Sequence, residues 1–359
     1  MIHDFAIVGA GIAGATLAAE LVSEASVVLI EGEDMPGYHA TGRSAAFWSE
    51  TYGGPAIQPL TSASRGAFDA GGFLSPLGSL HIGTAADAAA ADMFIGAFAG
   101  TGVTLEQVEP GKTISGLRPS WTIGVWEPSC AYIDVAGLHA AALATARRGG
   151  GVLTTGAALQ AAERRDGVWT LATSAGAFRA RTLVDAAGAW ADPVAALAGA
   201  RPIGITPFRR TMVQLRTDPA PDERLPHVAD IGGRFYFKPE AGGRLWLSPH
   251  DETPVAPSDA QPEELDIALA IDRFEQVVDW QVAAVERRWA GLRSFAPDRR
   301  PVYGYDPAVP GFFWCAGQGG FGIQTAPAAA MVAAALLLAR APDDAIRGID
   351  LEQYSPARF

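Results

Sequence analysis

Gly9-Ala10-Gly11-Ile12-Ala13-Gly14 comes directly after the apolar run Phe5-Ala6-Ile7-Val8 and opens an Ala/Leu-rich stretch, residues 12–22. A buried strand, a tight turn and a helix are the local fold that this order predicts. A second apolar run, Val27-Val28-Leu29-Ile30, ends at Glu31, roughly 20 residues beyond Gly11. Each glycine has its own reason. Gly9 permits the turn, Gly11 lets the backbone approach a pyrophosphate, and Gly14 lets the helix lie close to the strand. The helix N-terminus then offers free N–H groups and the positive end of its dipole to phosphates. Glu31 is placed to accept from ribose hydroxyls, so the unit predicts a bound dinucleotide.

The context matters more than the glycines. With 41 glycines in 359 residues, three at these offsets match by chance about 0.5 times. A second match stands at Gly317-Gln318-Gly319-Gly320-Phe321-Gly322, after Phe312-Phe313-Trp314-Cys315-Ala316. That repeat of run and turn predicts another strand followed by a glycine turn and a closing Ala-rich helix.

Parallel-type segments occur at the beginning, middle and end of the chain. The middle one, residues 178–184, leads into Asp185-Ala186-Ala187-Gly188-Ala189-Trp190. Between them, residues 207–248 read as antiparallel sheet: Thr211 to Leu215 alternates, and Phe235-Tyr236-Phe237-Lys238 turns at Ala241-Gly242-Gly243 into Leu245-Trp246-Leu247. Residues 85–100 and 134–147 read as helices, 262–288 as one long amphipathic helix, and the small residues 44–46, after a turn, as a helix start. The expected class is α/β (α+β overall), with two domains that each take several pieces of chain. The first, Rossmann-like, comprises 1–75, 133–204 and 291–359. The second, an antiparallel-sheet substrate domain, comprises 76–132 and 205–290.

A net charge of −12 argues against nucleic acid and anionic membrane surfaces, which reward basic patches. Two cysteines, Cys130 and Cys315, show no metal-ligand spacing. The longest apolar run, residues 328–339, is short for a bilayer span. No integral membrane segment and a cytoplasmic location are expected, with a small molecule as the partner.

Four segments in this order and spacing resemble the FAD-dependent D-amino-acid oxidase (DAO) family, and most closely the bacterial D-arginine dehydrogenase type. They are the first glycine motif with Glu31; Tyr38-His39-Ala40-Thr41-Gly42-Arg43-Ser44-Ala45-Ala46; Trp289-Ala290-Gly291-Leu292-Arg293; and Gly317 to Gln324. The resemblance implies FAD rather than NAD. It implies cofactor contacts from Gly9, Gly11, Ile12, Ala13, Gly14 and Glu31, from Thr41, Gly42, Arg43, Ser44 and Ala45, and from Ala187, Gly188 and Trp190. It adds Gly319, Gly320, Phe321, Gly322, Ile323 and Gln324, with Gly319 and Gly320 opening a helix toward the pyrimidine edge of the flavin.

An amino-acid substrate carries a carboxylate whose planar fork matches arginine. The resemblance gives that role to Arg293, with Arg210, Tyr52 and Tyr236 beside it, and gives the Gly320 carbonyl the substrate amine. Arg209 and Arg210 alternate along a strand, so one of them faces the site, and Arg210 is chosen. The implied reaction is oxidative deamination of a D-amino acid, with hydride passing from Cα to the flavin and the imino acid hydrolysing to a 2-oxo acid and ammonia. The electron acceptor is left open between oxygen, a quinone and a carrier protein. Phe47 and Ser79 stand where relatives carry polar or acidic groups, which points away from D-arginine and toward a small or apolar side chain. The alternatives are N-methyl or cyclic amino acids of sarcosine, glycine or proline type, a 2-hydroxy acid, or an electron-transferring flavoprotein subunit without a competent pocket.

Overall fold

The computed structural model describes residues 1–359. Two large sheets organise it. The first has parallel strands at its centre: Gly176–Asp185, His3–Val8, Val27–Ile30 and Val152–Thr154 lie side by side, and Phe312–Ala316 joins the C-terminal end of Gly176–Asp185. Val27–Ile30 is wholly buried, as a strand covered on both faces must be, which is why it reads as a continuous apolar run. Helices Ile12–Leu21, Val135–Arg148 and Ala326–Leu337 cover one face, and Ala191–Leu197 lies on the other.

The second sheet has ten strands, and its long axis is the pair Thr206–Asp218 and Gln281–Phe295. Helix Glu264–Glu275 packs on one face through Ile267, Ala270 and Phe274. A third small sheet, of Phe47–Trp48, Ala131–Ile133 and Leu74–Pro76, completes the fold. No helix is long and apolar enough to cross a membrane.

Two local expectations are corrected. Residues 262–288 are not one helix: the helix ends at Glu275, and from Gln281 the chain is a fifteen-residue strand. Val282, Val285 and Trp289 sit three and four apart, a helical spacing. In the strand the pairing slips between Gln214 and Leu215 and again between Arg216 and Thr217, and such bulges interrupt the two-residue alternation by which a strand is recognised. The expected domain boundary at 290/291 therefore falls within one strand. Residues 44–46 do not start a helix either. Thr41–Arg43 is a single 3-10 turn, Ser44 is extended, and Ala46 takes a left-handed φ of +59° before the strand Phe47–Trp48.

Candidate functional site

The first glycine turn behaves as its residues predict. Gly9 has φ +99°, and a Cβ there would stand 2.5 Å from the Ala186 carbonyl oxygen. A Cβ on Gly14 would run into the Gly9 carbonyl, so the helix lies directly against the turn. Gly11 is the N-cap of helix Ile12–Leu21 and has no side chain to cap it. Thr41 Oγ1 does so from afar, accepting the Ile12 N–H at 3.0 Å. Other first-turn N–H groups have no partner within the helix. Glu31 braces the turn: one carboxylate oxygen accepts the Ala10 N–H at 2.8 Å and the other the Glu33 N–H at 3.0 Å.

A cavity of about 410 Å³ runs from this turn to the meeting of the two large sheets. Of the residues expected at a cofactor, Gly9, Gly11, Ile12, Ala13, Glu31, Thr41, Ser44, Ala187, Gly188, Trp190, Gly319, Gly320, Gly322 and Ile323 line it. Gly14 and Gly42 lie behind its wall, where their missing Cβ atoms allow close packing. Ala45 and Gln324 line a smaller adjoining pocket instead. Phe321 packs against Tyr52 and Phe295. Arg43 departs furthest from expectation. Its guanidinium leaves the cavity, pairs with Asp259 and donates to the carbonyls of Ala260 (2.9 Å) and Ala290 (3.2 Å), tying the 3-10 turn to the second sheet.

The second glycine turn also differs from expectation. Gly319 belongs to a two-residue strand paired with Ser294 and Phe295, and the closing helix starts only at Ala326. Pro327 accounts for the delay, since proline fits a helix's first turn and not its interior. The backbone at Gly319 and Gly320 thus lines the cavity as a strand edge and turn.

The smaller pocket, about 20 Å³, is walled by Phe47, Tyr52, Tyr236, Arg293 and Gly320 among others. Arg293 is 7 % exposed and forms no ion pair; its one hydrogen bond is a long 3.5 Å contact to the Leu292 carbonyl. Burial lowers its pKa, yet arginine stays protonated in proteins. An unpaired buried guanidinium is a strong site for an anion, because an isolated charge in a poorly solvated place is costly.

Arg210 and Arg209 part as the alternation requires. Arg209 pairs with Glu263 and, at 2.8 Å, with Asp266 on the helix side of the sheet. Arg210, 1 % exposed, shares the other face with Met212 and Tyr236. It donates to the Asp251 carbonyl at 2.8 Å and pairs with Glu252 at 3.0 Å, while its Nη1 is buried with no partner. Arg210 is thus partly neutralised and Arg293 is not. The Tyr236 hydroxyl donates to the Met212 sulfur at 3.1 Å. Burial raises its pKa, with Arg210 and Arg293 pulling the other way. The Tyr52 hydroxyl lies where a Cβ on Gly320 would be. His250, edge-on to Tyr236, is pushed down to about 4 by burial and then by Arg210. It stays neutral at physiological pH, so the positive charge here belongs to the arginines.

Glu127 and His227 had no signal in the sequence beyond their type. Glu127 is wholly buried and accepts from Ser49 (3.0 Å), Thr51 (2.6 Å) and the Glu50 N–H (2.8 Å), anchoring the segment that leads to Tyr52. His227 and Ser79 meet at 2.9 Å behind Phe47. Sequence spacing cannot anticipate pairs 78 or 148 residues apart.

Comparison with known proteins agrees with this fold. Among solved structures, glycine oxidase from Geobacillus kaustophilus superposes with a TM-score of 0.85 at 24 % identity, covering 99 % of each chain. L-proline dehydrogenase from P. horikoshii gives 0.85 at 20 % identity, over 100 % of this chain and 98 % of that one. Among curated proteins, the bifunctional protein ThiO/ThiG of Synechocystis is 28 % identical over 240 residues, 66 % of this chain and 34 % of its own length. The hydrogen cyanide synthase subunit HcnC of Pseudomonas aeruginosa is 28 % identical over 233 residues, 64 % of this chain and 51 % of its own. The chain thus spans a third to a half of the length of these two curated relatives. These relatives do not single out the D-arginine dehydrogenase type. The cofactor is FAD, and the glycine cradle, helix N-terminus and Glu31 along the large cavity suit it. The family model for FAD dependent oxidoreductases matches residues 4–336, nearly the whole sequence, and the chain belongs to that DAO family.

Proposed function

We propose that the protein oxidises the Cα–N bond of a small α-amino acid, with glycine or an N-methylated or cyclic amino acid favoured over a side-chain-bearing D-amino acid. The observation that carries this reading is Arg293: a buried guanidinium without an anionic partner, on the wall of a pocket of about 20 Å³ beside the cofactor cavity. The Phe47 ring stands 5.2 Å from that of Tyr52 and 5.8 Å from that of Tyr236, so a long substituent on Cα meets aromatic walls on this side of the arginine. Two structural neighbours, a glycine oxidase and an L-proline dehydrogenase, point the same way.

FAD, when bound, supplies the two-electron acceptance that no side chain can provide. The protein's own residues bind and orient. Arg293 takes the substrate carboxylate through both arms of its fork, and the free Nη1 of Arg210 and the hydroxyls of Tyr52 and Tyr236 complete its hydrogen bonds. The Gly320 carbonyl accepts an N–H of the amine and so orients it, and the uncharged nitrogen, which carries the lone pair, is the form that reacts. Phe47, Tyr52 and Tyr236 exclude water from the reacting carbon. Positioning is the main contribution. The substrate loses two electrons and two protons, and the released imine hydrolyses to an oxo acid and an amine or ammonia.

The test is anaerobic bleaching of the purified flavoprotein by glycine, sarcosine, proline, and D- and L-forms of alanine and arginine. Bleaching by the small members supports the reading. A flavin spectrum that no member bleaches sinks it.

A further inference from the structure

The Tyr52 hydroxyl reaches the small pocket with no hydrogen bond to hold it. The ring packs against Phe47 and Phe321, with centroids 5.2 and 5.4 Å away, and the hydroxyl lies over Gly320. Gly53 and Gly54 follow in left-handed conformations, φ +101° and +76°, so the chain just beyond Tyr52 brings no side chain to brace it. The main chain at 49–52 therefore sets where the hydroxyl stands.

Two buried side chains grip that main chain. Gln324 Nε2 donates to the Tyr52 carbonyl at 3.0 Å, and its Oε1 accepts the Ser49 N–H at 3.3 Å. Glu127 takes the three residues before Tyr52 in turn: the Ser49 hydroxyl at 3.0 Å, the Glu50 N–H at 2.8 Å and the Thr51 hydroxyl at 2.6 Å. Glu127 ends the strand Trp121–Glu127 of the ten-stranded sheet, where it pairs with Ser79. It lines neither the pocket nor the cofactor cavity.

Packing alone does not account for a carboxylate here. Glu127 is wholly buried, no lysine or arginine pairs with it, and its one ionisable partner is His81 at 3.4 Å. A buried charge so weakly paired is costly and persists only when its hydrogen bonds are made. Burial works to raise its pKa, yet the donors from His81, Thr51 and Ser49 prevail and hold it below the usual carboxylate range. An apolar side chain would fill the space at less cost, but only a group with two acceptor oxygens receives three successive residues at once.

We propose that Glu127 is a positioning residue for substrate binding: its carboxylate fixes residues 49–51 so that the Tyr52 hydroxyl stands beside Gly320 and donates to the substrate carboxylate held by Arg293. This rests on the site reading given above. Glutamine in its place keeps the shape but leaves one acceptor oxygen, so the Glu50 N–H and the two hydroxyls no longer all donate to it. The segment then relaxes and carries the Tyr52 hydroxyl away from the pocket.

The experiment titrates the flavin-loaded protein with acetate, which binds as a carboxylate and cannot reduce the flavin, and reads the visible flavin spectrum. Tyr52→Phe should weaken acetate binding about tenfold or more, the loss of one hydrogen bond to a charged group. Glu127→Gln should weaken it at least about threefold with flavin content unchanged. Thr51→Val, which removes the shortest of the three bonds, should act in the same direction and serves if Glu127→Gln does not fold. The double variant decides. In a Tyr52→Phe background Glu127→Gln should add less than about 1.5-fold, because the group it positions is gone. A loss that persists undiminished in that background overturns the proposal. So does wild-type acetate affinity in Glu127→Gln, even with a lowered melting temperature, because the residue is then structural only. Failure of the underlying site reading looks different: acetate leaves the wild-type spectrum unchanged, or Tyr52→Phe binds it as tightly as the wild type does, and the proposal falls with that reading.

Discussion

Replacing Arg293 by leucine tests the central inference in two directions at once. In the free protein the guanidinium has no carboxylate partner and one long hydrogen bond, so its removal breaks no ion pair. It also takes a desolvated charge out of the interior. Unfolding free energy should therefore stay within about 1 kcal/mol of wild type or rise, unlike most changes at a 7 % exposed residue. Ligand binding should respond in the opposite sense. A bidentate, charge-assisted pair in a water-poor pocket is worth about 3–5 kcal/mol on truncation of one partner, which at about 1.4 kcal/mol per decade is roughly 10²–10⁴-fold in affinity. Arg293→Lys keeps the charge but not the fork and should fall between. The assays are denaturant unfolding of the holoprotein and titration of the flavin spectrum with acetate. An acetate affinity within about threefold of wild type would refute the carboxylate role. A stability loss above about 2 kcal/mol would show instead that Arg293 is a structural cation.

Three further outcomes follow from the geometry. Gly9→Ala forces a left-handed φ on a residue whose Cβ meets the Ala186 carbonyl. It should cost about 1–3 kcal/mol and lower the flavin-to-protein absorbance ratio after purification, and full flavin content at the wild-type melting temperature would count against the cradle. Gly320→Ala places its methyl on the Tyr52 hydroxyl, a movable side-chain tip. Flavin content should hold while KM for the best substrate rises about tenfold or more, since small displacements of a positioning group are costly; an unchanged KM would remove Tyr52 from the pocket. Stability should fall on acidification from pH 6.5 toward pH 4, because His250 titrates at about 4 when folded and His227 well below its usual value. The unfolded chain binds more protons across that window, so each histidine contributes a slope of up to about 1.4 kcal/mol per pH unit. His250→Asn, which tolerates the residue's φ of +55°, should flatten the slope; an unaltered slope in urea melts at several pH values would exclude His250 as a source.

The legible parts of this protein are those in which neighbours in sequence are neighbours in space. The strand Phe5 to Val8, the turn at Gly9 and the helix from Ile12 announce themselves because covered parallel strands are uniformly apolar and because only glycine fits that turn. The Arg209–Arg210 alternation was readable for the same local reason. The strand Gln281–Phe295 was not, because two bulges break its two-residue alternation, and only pairing with Thr206–Asp218 reveals it as a strand. The start of the last helix was misplaced because a glycine turn after a strand suggests an immediate helix, whereas Pro327 and the pairing of Gly319 with Ser294 postpone it.

Sequence alone determined that a dinucleotide cradle begins the chain, that an antiparallel sheet is inserted between parallel segments, and that Arg293 and Arg210 are the arginines to watch. The first two conclusions rest on periodicity, turn chemistry and motif spacing, all of which act over a few residues, and the two arginines rest on the resemblance to the DAO family. Only the tertiary structure decided which charges remain unpaired. Arg43 is bound by Asp259, Arg209 by Asp266 and Arg210 by Glu252, while Arg293 has no such partner. Only the tertiary structure, again, set Phe47 over His227. Charge compensation and pocket size depend on distances between segments far apart in the chain, and no local pattern encodes them.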